Sequence, residues 1–282
     1  MERVRLCLFS STSDMDRLNF LVKVLTGSPQ ELAQRCQNWG YDGIEFMPNP
    51  EDVPAPDTIA SAIAEFDVAL PVVNSGRMAP QGMALLDEDD SIREKSIAAF
   101  KDMIAFAGHF GARVGLGIAR GTGIPGASKA EMDQLAGGVF RELAAHAEQH
   151  KVVIMLEAAD PGVTSYINTM DEAYQWVQTI NSPSFSLMLD TYQLVDAETS
   201  VEYGIRAAKG QATHIHLYDP SRYPPGVLAE GERLDWDHIG RVLREENFSG
   251  TGSVVLAPEG DPEAAARKAL AYLRQLFTEG QR

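Results

Sequence analysis

The chain has 282 residues, 44% of them apolar, which suits one large globular domain or two small ones with a sizeable core and excludes a disordered polymer. Its 24 basic and 40 acidic residues give a formal charge of −16, which argues against nucleic acid and anionic membranes as partners. An anionic substrate stays open, because a metal or a few arginines can set the potential of a site.

The cysteines, Cys7 and Cys36, lie far apart and in no motif, so they read as buried thiols in a reducing compartment. The opening segment lacks the apolar core of a signal peptide, and no apolar run approaches the ~20 residues of a membrane span. The expectation is a cytoplasmic protein.

Strand-like and helix-like segments alternate from end to end in eight pairs. Strands are predicted at 4–9, 43–46, 68–74, 113–117, 152–157, 185–190, 212–217 and 253–257, each followed by a helical pattern. Helix starts carry chemical signals: Ser28-Pro29-Gln30-Glu31, Ser91-Ile92-Arg93-Glu94, Ser128-Lys129-Ala130-Glu131 and Thr169-Met170-Asp171-Glu172 all read as capping boxes. Asp261-Pro262 opens the last helix, where Ala266, Leu270, Leu273 and Phe277 form the buried stripe. Eight βα units point to a (β/α)8 TIM barrel occupying the whole chain, 1–282, as a single domain. A doubly wound open sheet is the alternative, but no Gly-x-Gly-x-x-Gly follows a strand and no linker is visible. The long connections 75–90, 118–127 and 218–235 would lie on the catalytic face of a barrel as candidate lids. They hold Arg77, Arg120, Arg222 and Arg233, enough for a carboxylate or phosphate but not diagnostic of one.

Three apolar runs end on metal-ligating residue types. Val152-Val153-Ile154-Met155-Leu156 ends on Glu157, Phe185-Ser186-Leu187-Met188-Leu189 on Asp190, and Thr213-His214-Ile215 on His216. In a parallel barrel such endings gather at one face. A single carboxylate there is often only the first exposed residue or a helix cap. Carboxylate, carboxylate and imidazole at three successive strands instead suggest a divalent cation: Mn²⁺, Mg²⁺, Co²⁺ or Zn²⁺. His214 and His216 face the same side of their strand, and His214 is expected inside the barrel, with ligand contact left open. Glu45, in Gly43-Ile44-Glu45-Phe46, is either a contact to a substrate hydroxyl or an exposed turn residue. Trp39, Trp176 and Trp236 fall in or beside helical patterns and read as packing.

These residues together resemble the xylose isomerase-like superfamily of sugar isomerases and epimerases, which includes D-tagatose 3-epimerase, hydroxypyruvate isomerase and inosose dehydratase. The resemblance covers nearly the whole chain through the eight-fold rhythm and is most specific from Lys151 onward. Leu156-Glu157 is similar to the family's glutamate after strand five, and Leu189-Asp190-Thr191-Tyr192 to its aspartate after strand six. His216-Leu217-Tyr218-Asp219 is similar to its His-x-x-Asp. Asp219-Pro220-Ser221-Arg222-Tyr223-Pro224-Pro225-Gly226 resembles the Asp-x-x-Arg-x-x-Pro-Gly run of the epimerase branch. The resemblance implies a metal held by Glu157, Asp190 and His216, and an enediolate formed from a hydroxy-ketone. It implies that Glu157 is both ligand and acid/base. Arg222 would bind substrate or fold back onto Asp219, and Asp219 would fix an imidazole or shape a turn.

Two departures stand out. Gln193 occupies the position where the family has a substrate-contacting histidine; it can donate and accept hydrogen bonds but not change charge. The family also ends strand eight with a glutamate that completes the metal site and often serves as the second acid/base. Here the strand reads Ser253-Val254-Val255-Leu256-Ala257-Pro258-Glu259, and Glu259 reaches the site only if the strand extends or bulges by about two residues.

Among relatives, endonuclease IV is excluded: it needs several histidines on different strands and a positive groove. The expected activity is metal-dependent isomerisation or epimerisation of a small sugar, sugar acid or polyol ketone, with Glu157 and Glu259 as catalytic carboxylates. The metal would be held by Glu157, Asp190, His216 and Glu259, and the substrate by Arg222, Gln193, Glu45 and His214. A dehydratase of the inosose dehydratase type and a non-catalytic sugar-binding barrel are the alternatives. Homo-oligomers are common among the relatives, and nothing in the sequence decides that point.

Overall fold

In the computed structural model, which describes residues 4–18, 22–228, 230–256 and 261–278, the apolar runs become parallel strands. They are β1 (Arg5–Ser11), β2 (Leu25–Thr26), β3 (Gly43–Met47), β4 (Ala69–Asn74), β5 (Arg113–Leu116), β6 (Ile154–Glu157), β7 (Phe185–Asp190), β8 (Ala212–Leu217) and β9 (Thr251–Val254). From β3 to β9 each strand pairs in parallel with the next, β3 pairs with β1, and β9 returns to β1, with Cys7 opposite Ser253. That closure produces an eight-stranded parallel barrel with helices between its strands. A closed barrel has no free edge, so its backbone groups are paired all round.

The intervening helices are α1 (Pro29–Trp39), α2 (Pro56–Glu65), α3 (Asp90–Gly108), α4 (Lys129–His150), α5 (Met170–Ile180), α6 (Thr191–Ala197), α7 (Val201–Ala207), α8 (Trp236–Glu245) and α9 (Pro262–Thr278). Ser28, Ser128 and Thr169 form the reciprocal capping boxes that start α1, α4 and α5. The predicted box at Ser91 is not formed. Asp89 caps α3 instead, its carboxylate accepting the Ser91 amide, so Ser91 falls within the first turn. Asp261 accepts the amides of Glu263 and Ala264 at the start of α9, and Ala266, Leu270, Leu273 and Phe277 are buried beneath that helix.

The main core lies between the barrel wall and its helices, while Val72, Met155 and Met188 make a separate apolar cluster. Trp176 and Trp236 are buried, and Trp39 lies under the Arg267 guanidinium, 5.4 Å from ring centroid to cation. Both cysteines are buried and free. No helix among the described residues is long and apolar enough to cross a membrane.

One stretch of the rim departs from the sequence-based reading. β1 runs on to Ser11, whereas β9 stops at Val254, short of the predicted 257. Beside the projecting end of β1, Leu25 and Thr26 pair with Ser10 and Ser11, and Lys23 bridges to Leu256. The segment around β2 thus closes the sector between β9 and β1. A two-residue strand has too few alternations to leave a periodic signal.

Candidate metal centre

At the C-terminal end of the barrel, Glu157 closes β6, Asp190 closes β7 and His216 lies on β8. The pairings Glu157 with Met188 and Asp190 with His216 bring the three onto adjoining strands facing inward. One ligand atom from each lies within 4.8 Å of the others, and all three residues are buried. They lie on the wall of a cavity of about 400 Å³.

The orientation of each group is fixed. Asp190 caps α6: its Oδ1 accepts the amides of Tyr192 (2.8 Å) and Gln193 (3.3 Å), leaving Oδ2 beside His216 Nδ1 at 3.3 Å. On its other side the His216 ring meets Glu45, with Nε2 at 3.0 and 3.2 Å from the two carboxylate oxygens. Phe9 lies against the ring at 5.8 Å between centroids. Glu157 depends on a glycine, since a Cβ on Gly117 would lie 2.0 Å from its Oε2. The residue types alone do not reveal that close approach.

The electrostatics fit a cation. Burial, and then the charge of Asp190, push the Glu157 carboxyl up to about 7. Burial disfavours the imidazolium of His216, but Glu45 and Asp190 outweigh it and hold the ring protonated well above the usual histidine range. In the same cluster burial opposes ionisation of Glu45, yet His216 and His214 keep its carboxyl well below the usual range. The negative charge crowded between Glu157 and Asp190 favours a positive partner there, and a divalent cation could supply it. Two carboxylates and one imidazole suit Mn²⁺, Co²⁺ or Zn²⁺, and Mg²⁺ less well because of the nitrogen.

Several sequence-based assignments change. Glu45 and His214, expected among the substrate contacts, are fully buried, and neither is among the residues that line the cavity. Both side chains point into the barrel beneath the cavity, as the strand alternation of His214 and His216 requires. Arg222 does line the cavity, with its guanidinium close enough to Tyr218 to act on the phenol, and among the described residues no ion pair joins it to Asp219. Asp219 is instead the anchor of the long β8–α8 loop, accepting the amides of Ser221, Arg233 and Leu234. Arg77 turns away to pair with Asp14. Arg120 is fully buried and donates to the carbonyls of Gly117, Tyr166 and Ile167, clamping the loops after β5 and β6 together. Burial lowers the Arg120 guanidinium to about 10 while the charge of Glu157 opposes the shift.

Gln193 lines the cavity, and its Oε1 accepts the Asp160 amide at 2.8 Å. Asp160 also lines the cavity, as do Asn74 and Tyr192, whose ring stacks on Tyr218 at 5.2 Å. Sequence reasoning missed these residues because Asn74 ends β4, Asp160 lies in the loop after β6 and Tyr192 lies in the first turn of α6, and no residue type or spacing marks them as lining. Among the described residues, Phe9, Val22 and Val255 line the β9–β1 side. Glu259, the sequence-based candidate for a fourth ligand, lies outside the described residues.

Residues 33–276 match a family model described as the xylose isomerase-like TIM barrel. The chain belongs to that family. Among relatives of this xylose isomerase-like barrel is D-psicose 3-epimerase from Enterocloster bolteae, 36% identical over 111 residues. The match covers 39% of this chain and 36% of that protein, so it spans well under two thirds of the relative's length. The structure of an L-ribulose 3-epimerase shares the fold with a TM-score of 0.80 at 18% identity, covering 100% of this chain and 96% of that one. The IOLI protein with a bound zinc atom superimposes with a TM-score of 0.73 at 22% identity, over 98% of this chain and 99% of the other.

Proposed function

We propose that this xylose isomerase-like barrel is a divalent-metal-dependent isomerase or epimerase of a small ketose or polyol ketone, with Glu157 as its proton-transferring carboxylate. The carrying observation is the convergence of Glu157, Asp190 and His216 within 4.8 Å on the wall of a single cavity. The epimerase names of its relatives and the zinc atom in the IOLI structure support the same reading. When bound, a divalent cation would polarise a substrate carbonyl and stabilise negative charge on it and a neighbouring oxygen.

The chain's own residues supply the rest. A carboxyl held near 7 suits proton abstraction and return at neutral pH, and Glu157 is that carboxyl. Asn74, Asp160 and Gln193 offer donors and acceptors to hydroxyl groups, and Arg222 adds the cationic side chain of the lining. The volume of about 400 Å³ fits a small sugar. The reading keeps the expectation of a cytoplasmic enzyme acting on free carbohydrate. Incubation of candidate ketoses in deuterated water tests it: deuterium incorporated at the carbon beside the carbonyl of an isomerised product is expected. No exchange across a broad panel with metal-loaded protein would refute it.

A second reading is dehydration by β-elimination, in which one carboxylate removes the proton and passes it to the departing hydroxyl; among the described residues, Phe9, Val22 and Val255 line the β9–β1 side. Glu259 is the proposed fourth ligand and second acid in the first reading. Its replacement, Glu259→Ala, is therefore expected to abolish inversion while leaving single-face proton exchange by Glu157.

A further inference from the structure

Glu45 is a carboxylate with no exposed surface, on a strand that contributes none of the three candidate ligands. A buried carboxylate is tolerated only when its oxygens are saturated with donors. Here Asn74 Nδ2 donates to Oε1 at 2.6 Å, and His214 Nε2 lies 3.0 Å from Oε2. His216 Nε2 lies within reach of both oxygens, at 3.0 and 3.2 Å. At the far side of His214, Nδ1 is 2.7 Å from Thr251 Oγ1, itself fully buried.

One proton arrangement satisfies every contact around Glu45 and His214. Thr251 donates to Nδ1 of His214, His214 donates from Nε2 to Glu45, and His216 donates from Nε2 to Glu45 as well. That leaves Nδ1 of His216 as the nitrogen facing Asp190 and Glu157. An imidazole without this partner could present either nitrogen, and its ring could rotate out of the plane that meets the two carboxylates.

We propose that Glu45 is the positioning residue of the metal centre, holding His216 as the Nε2–H tautomer so that Nδ1 is the metal ligand, with His214 and Thr251 fixing Glu45 in turn. The inference rests on the metal reading above and adds to it a residue from outside the ligand set. It also explains why two histidines stand two apart on β8: His216 meets the cation, and His214 braces the carboxylate behind it.

The test uses the full chain loaded with zinc. Long-range proton–nitrogen NMR of ¹⁵N-histidine-labelled protein reads the tautomer, and competition with a chromophoric chelator reads the affinity. Expected are one zinc per chain, a proton on Nε2 of His216, and binding about 10- to 100-fold weaker in Glu45→Gln with an unchanged near-ultraviolet circular dichroism spectrum. Zinc on Nε2 in the wild-type protein would overturn the inference, whether or not the variant folds. So would wild-type affinity in a folded Glu45→Gln. A wild-type protein that takes up no zinc would instead overturn the metal reading itself.

Discussion

Glu157, Asp190 and His216 are each held by a different neighbour: Gly117 by making room, the start of α6 by hydrogen bonding, and Glu45 by pairing. Asp190→Ala and His216→Ala are each expected to abolish retention of a stoichiometric metal, read by elemental analysis after gel filtration. Metal content equal to wild type in either would remove that residue from the centre. Gly117→Ala should act through Glu157, because the new methyl group would occupy the carboxylate's place. Metal affinity and turnover are expected to fall at least tenfold while the melting temperature changes little. The pH dependence has opposite signs for binding and for folding. With Glu157 held up to about 7, metal affinity should fall on acidification through that value, by about tenfold per unit for each proton displaced. In the metal-free fold, a carboxyl raised above its unfolded value stabilises most below the ordinary carboxylate range, and that contribution is lost as pH rises through about 7. Calorimetry with and without metal across this range checks both signs; a flat metal affinity would contradict the first.

At the scale of elements, the loops after β5 and β6 are joined by one buried guanidinium. Arg120→Met would leave the carbonyls of Gly117, Tyr166 and Ile167 without that donor, at a cost of about 3 kcal/mol or more in denaturant unfolding. Because Gly117 and Glu157 face each other beside this clamp, metal affinity should drop with it. The local elements themselves were largely legible in the sequence. Capping boxes at Ser28, Ser128 and Thr169 rest on contacts three residues apart, so spacing alone reveals them. The box at Ser91 was misread because Asp89, two residues earlier, is also a strong cap and takes the position. Arg120 illustrates the opposite limit. Its charge and its place in a glycine-rich loop suggest an anion site, yet its partners are carbonyls 46 and 47 residues away.

For the whole molecule, the eight-fold alternation of apolar strands and amphipathic helices was enough to specify a closed parallel barrel, since each strand must bury both faces and each crossover must return the same way. That same alternation put Glu157, Asp190 and His216 at strand ends on one rim. The architecture and the three-residue candidate centre were thus legible before folding, because both depend on local periodicity and on the order of elements. What surrounds that centre emerged only with the folded chain. Glu45 became a buried partner of two histidines. Arg120 and Asp219 became loop anchors, and the rim between β9 and β1 was closed by the short β2 segment. Each of these outcomes depends on residues far apart in the chain that meet only when the barrel closes.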